Sequence, residues 1–135
     1  MARITRTESS KDFIRRKSVK FKHERARRKP VGMKDIGRKG RHRWLREAWT
    51  FMPQSKISDR KVFVVERLRR MRPEGRTFNR RRNREGDIEY RIGYFVVGRN
   101  GNKRGRWIWG QFCPLIPKDD FRELLRKAKD ERTLL

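Results

Sequence analysis

The sequence predicts a small α+β domain: a three-stranded antiparallel sheet with a short helix before it and a C-terminal helix after it, all preceded by a long basic disordered arm. Three observations predict it. Two β-branched and aromatic runs, 87–98 and 106–117, flank a Gly/Asn-rich connection containing Asn100-Gly101, the strongest short-range hairpin signal in the chain. Residues 118–129 carry an apolar stripe at helical spacing. Residues 1–42 are dominated by cations with only scattered apolar positions.

In chain order, the arm comes first. Arg15, Arg16, Lys17, Lys20, Lys22, Arg25, Arg27, Arg28, Lys29, Arg38, Lys39 and Arg41 stand among few apolar residues, Phe13, Ile14, Val19, Phe21 and Ile36. Too little apolar surface is present to offset the entropy of ordering, so 1–42 is expected to be disordered when free. Residues 11–28 are expected to become a helix once their charge is neutralised, while Pro30 and the glycines at 32, 37 and 40 break any longer one.

The domain is expected to span 43–135. Trp44, Leu45, Ala48, Trp49 and Met52 recur at helical spacing and predict a short amphipathic helix ended by Pro53. The run 61–68, Lys-Val-Phe-Val-Val-Glu-Arg-Leu, fits a helix face at Val64, Val65 and Leu68, but its β-branched content favours a strand. Such a strand gives the hairpin the third partner a sheet needs for independent stability. Residues 69–86 form an Arg-rich loop, with Arg76, Arg80, Arg81, Arg82 and Arg84 and the breakers Pro73, Gly75 and Gly86.

A two-residue turn at Asn100-Gly101 sets Tyr94 opposite Trp107 and Ile92 opposite Trp109. It therefore puts Ile88, Tyr90, Ile92, Tyr94 and Val96 on one face with both tryptophans. Glu89, Arg91, Gly93, Phe95 and Val97 share the other face with Arg106, Ile108 and Gly110, where the two glycines allow close approach of a helix, a backbone or a base. In the final helix Phe121, Leu124, Leu125 and Ala128 form the stripe. Asp119, Asp120 and Glu123 suit the positive N-terminal end, and Arg126, Lys127 and Lys129 suit the negative C-terminal end. Ile116 and Phe121 are spaced as a hydrophobic staple.

Of 135 residues 33% are hydrophobic and 42% charged, which leaves room for one small domain but not for a core using the whole chain. Lys and Arg total 41 against 16 Asp and Glu, a formal charge of +25, with arginine predominating. A compact protein with that self-repulsion calls for a polyanion, and arginine favours forked contacts to phosphate. The single Cys113 excludes an internal disulfide, and with only His23 and His42 beside it there is no zinc-ligand spacing. A reducing compartment such as the cytoplasm fits this cysteine usage. The Arg-rich, acid-poor N-terminus also has the composition of an organellar transit peptide, although its length and the basic run beyond it favour a binding arm. No run approaches the length of a membrane span.

Few residues are candidates for catalysis. Both histidines lie in basic surroundings that favour nucleic-acid contact over general-base work. Asp87 and Glu89, two apart on one strand face, are read as surface charges balancing nearby arginines; a small metal-dependent nuclease built on them ranks below a binding protein. The stretch 98–105 lacks the strand-to-helix context of a nucleotide-binding loop. A hairpin tip carrying Arg99, Lys103, Arg104 and Arg106 suits a groove or a phosphate backbone better. Tyr90, Tyr94, Trp107 and Trp109 are read as core in preference to a base-stacking platform.

The expectation is a non-enzymatic nucleic-acid-binding protein without cofactor or metal. Its site consists of the arm cations named above together with Arg43, the loop arginines and the hairpin-tip cations. RNA is favoured over DNA, because irregular arginine-rich segments suit folded RNA and no helix-turn-helix or zipper pattern is present. The alternative is a DNA-binding accessory or packaging protein. A stable ribonucleoprotein particle, with other proteins as neighbours, is the natural setting for such an RNA-binding chain, which in general composition alone is similar to ribosomal proteins.

Overall fold

The computed structural model describes residues 6–33, 42–54, 59–71 and 85–135. Helix α1 (Ser10–Ala26) precedes five strands, β1 (Val31–Met33), β2 (His42–Pro53), β3 (Lys61–Arg70), β4 (Ile88–Val97) and β5 (Trp107–Trp109), and helix α2 (Lys118–Asp130) closes the chain. The strands make one antiparallel, curled sheet in the order β1-β2-β3-β4-β5. The α+β class and the C-terminal helix are as expected; the three-stranded sheet is not, because β1 and β2 extend it.

β3 explains the layering. Val62 and Val64 point to one side, where Phe13 and Phe21 of α1 meet Phe51 and Phe95. Phe63 and Val65 point to the other, against Leu124 and Ala128 of α2. A strand buried on both faces reads as a continuous apolar run, which is why 62–65 carries no alternation. The sheet is thus held between two helices.

The disordered arm is the first correction. Ser9 caps α1 by accepting from the Asp12 amide at 3.1 Å, and Asp12 sits in the first turn. Phe13 is fully buried, stacked on Trp107 with centroids 4.5 Å apart and packed on Phe95 at 5.0 Å. Phe21 packs on Phe51 at 5.7 Å and on Trp49 at 5.4 Å. Average composition hid this stripe because its few apolar members are large rings, each burying more surface than an aliphatic residue. The Ser10 hydroxyl donates to Asp59 and the Ser10 amide donates to the same oxygen at 2.9 Å; the hydroxyl bond first, and then the amide bond, hold that carboxyl below the ordinary aspartate value.

The helix expected over 43–52 is the second correction: these residues lie in β2. Arg46 pairs with Leu68 while Ala48 pairs with Arg67, so Glu47 is an extra residue, a bulge. Trp44 opposes Arg70 and Trp49 opposes Glu66, so both indoles fall on the α1 side although five positions apart. An interrupted period of two had imitated a period of 3.6.

The hairpin register is the third. Val97 pairs with Trp107, Val96 with Ile108 and Phe95 with Trp109, a shift of three from the expected pairing. A longer connection with a 3-10 turn at Gly101–Lys103 replaces the two-residue turn. The physical reason is burial. The expected register would put Arg106 beside Phe95 on what proves to be the α1 face, whereas the observed one delivers Trp107 and Trp109 there. Tyr90 and Tyr94 consequently face the α2 side, apart from the tryptophans. Strand character stops at Trp109, so the expected run to 117 is shorter, and 110–117 leads to α2 on the opposite face.

Both glycines are filled from within the chain, and on different faces. A Cβ at Gly93 would overlap the Trp109 ring, and one at Gly110 the Tyr94 ring. Gly93→Val is expected to displace the indole and cost about 1–3 kcal/mol, read from urea unfolding followed by tryptophan fluorescence.

α2 buries Leu124 and Ala128, and Leu125 is half-buried. Ile116 packs into the Phe63 cluster, while Phe121 stays exposed, so the expected staple does not close. Arg132 adopts a left-handed φ of 60°, letting Thr133 and Leu134 donate to the Ala128 carbonyl at 2.8 and 3.1 Å.

Candidate nucleic-acid interface

The sheet contains its own carboxylates, and its register decides which arginines they hold. Glu66 is 1% exposed and accepts from Arg46 Nε at 2.7 Å and Arg91 Nε at 2.5 Å. Arg46 also donates to Glu24 of α1 at 2.9 Å, with its guanidinium 3.8 Å from the centre of the Phe21 ring. The Arg91 guanidinium covers Trp109 at 4.6 Å. Glu47, projecting from the bulge, accepts from Arg69 and from Arg67 at 3.1 Å; the Arg69 hydrogen bond first, then the charges of both, hold its carboxyl below the usual glutamate value. Arg70 is buried, donating to Glu89 at 2.7 Å and to His42 Nδ1 at 2.6 Å, 4.9 Å from the centre of the Trp44 ring. Arg46, Arg67, Arg69, Arg70 and Arg91 thus hold the fold together. None was singled out in the sequence as structural, because the pairs cross strands.

Outside this network, besides the cations of α2, two groups of exposed cations stand out. On α1, Arg15, Arg16, Lys20, Lys22 and Arg25 are exposed, as are Arg27, Arg28 and Lys29 just after it. Asp12 lies 3.8 Å from Arg15, Glu8 takes Arg16 in a forked pair at 2.9 and 3.0 Å, and Glu24 lies 3.9 Å from Lys29. Arg25 donates to the Glu47 carbonyl at 3.0 Å and lies over Trp49. For Lys20, Lys22, Arg27 and Arg28 the described residues supply no ion pair. Lys17 is half-buried, its Nζ 5.2 Å from the centre of the Phe95 ring; burial first, and then the Lys20 and Arg16 charges, lower its pKa from the ordinary lysine value.

The second group is the β4–β5 connection. Arg99, Lys103, Arg104 and Arg106 are all exposed, and no ion pair among the described residues engages them. Gly101 and Gly105, at φ 66° and 76°, make the turns that splay these side chains. The connection abuts the start of α1: Trp107 Nε1 donates to the Glu8 carbonyl at 2.8 Å. The backbone leading into α1 therefore lies against the strand that follows the tip. Arg60, exposed at the start of β3, joins the tip cations and was missed because it sits in a polar connector without a pattern.

Arg43 lies in β2, half-buried. Arg38, Lys39, Arg41, Arg76, Arg80, Arg81, Arg82 and Arg84 lie outside the described residues, as does most of the 69–86 loop; its first residues, Arg69 and Arg70, end β3. Arg91, expected on a contact surface, is instead bound to Glu66. Among the described residues no group of three or more His, Cys, Asp or Glu is arranged to hold a metal ion, and no helix is long and apolar enough to cross a membrane. Cys113 is exposed.

No family model, curated protein or solved structure matches the chain.

Proposed function

We propose that this protein is a non-enzymatic nucleic-acid-binding protein, with folded RNA as its ligand, acting as a subunit of a ribonucleoprotein particle. One observation carries the reading: Glu24, Glu47, Glu66 and Glu89 are engaged by arginines within the fold, while the outer face of α1 and the hairpin tip present cations in a chain of formal charge +25. Charge left over in this way serves a polyanion. RNA is preferred to duplex DNA because the exposed cations are divided between a helix and an irregular hairpin tip, and the sequence carries no helix-turn-helix or zipper pattern for reading a duplex.

The test is binding of a folded RNA, followed by fluorescence anisotropy across a salt series, with duplex DNA as competitor. The logarithm of affinity is expected to fall linearly with the logarithm of salt. Replacing Arg99, Lys103, Arg104 and Arg106 together by alanine is expected to flatten that slope by about three to four, roughly one per lost phosphate contact, with the unfolding midpoint unchanged. A chain that stays free of nucleic acid in dilute buffer rejects the function. Duplex DNA displacing RNA moves the assignment to a DNA-binding accessory protein.

A further inference from the structure

Where β2 stops, β3 begins and the β4–β5 connection folds over, a cleft of about 630 Å³ opens at the end of the sheet. That volume belongs to small-ligand clefts and exceeds what a single phosphate fills. Arg60, Arg99 and Arg104 stand around it, exposed and without an ion pair among the described residues. Lys61 also lines it, but its ammonium lies 5.0 Å from the centre of the Tyr94 ring and 5.3 Å from that of Phe63. The remaining lining is neutral: Val96, Val97 and Gly98 are apolar, and Thr7 and Gln54 add a hydroxyl and a carboxamide.

The walls are fixed by the backbone. The Gln54 amide donates to the Lys61 carbonyl at 3.0 Å, the Val97 amide to Arg60 at 3.0 Å, and the Gly105 amide to Gly98 at 2.9 Å. A Cβ at Gly98 would overlap the Lys103 carbonyl, so the connection folds back only over glycine. A cleft held this way keeps its shape when empty, which lowers the entropic cost of filling it.

Guanidinium groups beside an apolar lining, with one neutral amide and one hydroxyl, match the parts of a nucleotide. The guanidiniums fork onto phosphate oxygens, the Gln54 carboxamide offers both a donor and an acceptor to a base edge, and the half-buried Val96 with Gly98 supports the sugar and base. A base stacked in a duplex does not reach such a cleft; a splayed one does. We propose that the cleft takes one unstacked nucleotide of a single-stranded RNA loop. The proposal rests on the nucleic-acid reading above and names the part of the ligand which that reading leaves open.

The experiment compares an RNA stem-loop with a blunt RNA duplex of equal phosphate count, using the full chain and its Gln54→Leu variant. The stem-loop is expected to bind about tenfold more tightly, the scale of one well-made pair of hydrogen bonds to a base edge. Gln54→Leu is expected to lose most of that preference while its duplex affinity stays unchanged, which also reports an intact fold. A 4-thiouridine placed in the loop is expected to crosslink to the peptide containing residues 96–105. Equal affinities, a preference that survives Gln54→Leu, an equal loss on both RNAs, or crosslinks elsewhere would overturn the proposal. A chain that binds neither RNA rejects the function itself before the cleft is in question.

Discussion

Glu66→Ala is expected to destabilise the protein by about 3–5 kcal/mol, the range found when one member of a buried ion pair is removed. The carboxylate is 1% exposed and stands between two guanidiniums, Arg46 at 2.7 Å and Arg91 at 2.5 Å. Arg46 has a second acceptor in Glu24, but its side chain is also enclosed, so losing Glu66 leaves a cation with half its compensation under α1. Arg91 is more open and recovers part of its hydration. Glu66→Gln retains an acceptor and the volume while removing the charge, and is expected to fall between wild type and alanine. Replacing Glu66, Arg46 and Arg91 together by apolar residues of similar size is expected to cost less than Glu66→Ala alone, because no uncompensated charge remains. Urea unfolding of the series measures all three. A loss below about 1 kcal/mol for Glu66→Ala, the range of an exposed pair, would mean that water reaches the carboxylate.

Phe13→Ala is expected to cost a similar amount, about 3–5 kcal/mol for a large buried aromatic. The ring is fully buried, stacks on Trp107 and meets Phe95 and Phe51 at an angle, so its removal takes away both apolar burial and ring contacts between α1 and three strands. Amide hydrogen exchange gives a second measurement: protection across 10–26 should fall further than protection in β3, because α1 loses its main anchor. If residues 1–42 were the free arm that composition predicts, neither quantity would change. The substitution therefore separates the docked helix from the disordered one.

The elements that composition and periodicity made legible are those whose partners lie along one face or nearby in sequence. α2 was readable because its apolar stripe, acidic start and basic end all agree. β3 and β4 were readable from their β-branched content. β2 was not, because the bulge at Glu47 breaks the alternation that identifies a strand and leaves indoles five apart. α1 was read as conditional because its stability comes from Phe51, Phe95 and Trp107, all distant in sequence. The hairpin is recognisable but its register is not, since packing of Trp107 against Phe13 and the α1-side core outweighs the local turn preference of Asn100-Gly101.

The candidate site shows the same division. Cationic character was visible at once, but the division of arginines into those that bridge strands and those that face solvent depends on which carboxylate lies opposite. Arg91 illustrates it: beside Glu89 in sequence it looks like a surface charge, yet register carries it to Glu66.

The hydrogen bond from the Trp107 indole to the Glu8 carbonyl joins the start of the chain to its last strand. Because of it, the backbones that carry the cations of α1 and those of the hairpin tip are tied together within the fold rather than brought together at encounter. Under the nucleic-acid reading proposed above, the phosphates would come to that frame, and the adaptation would fall on the more pliable molecule of the pair.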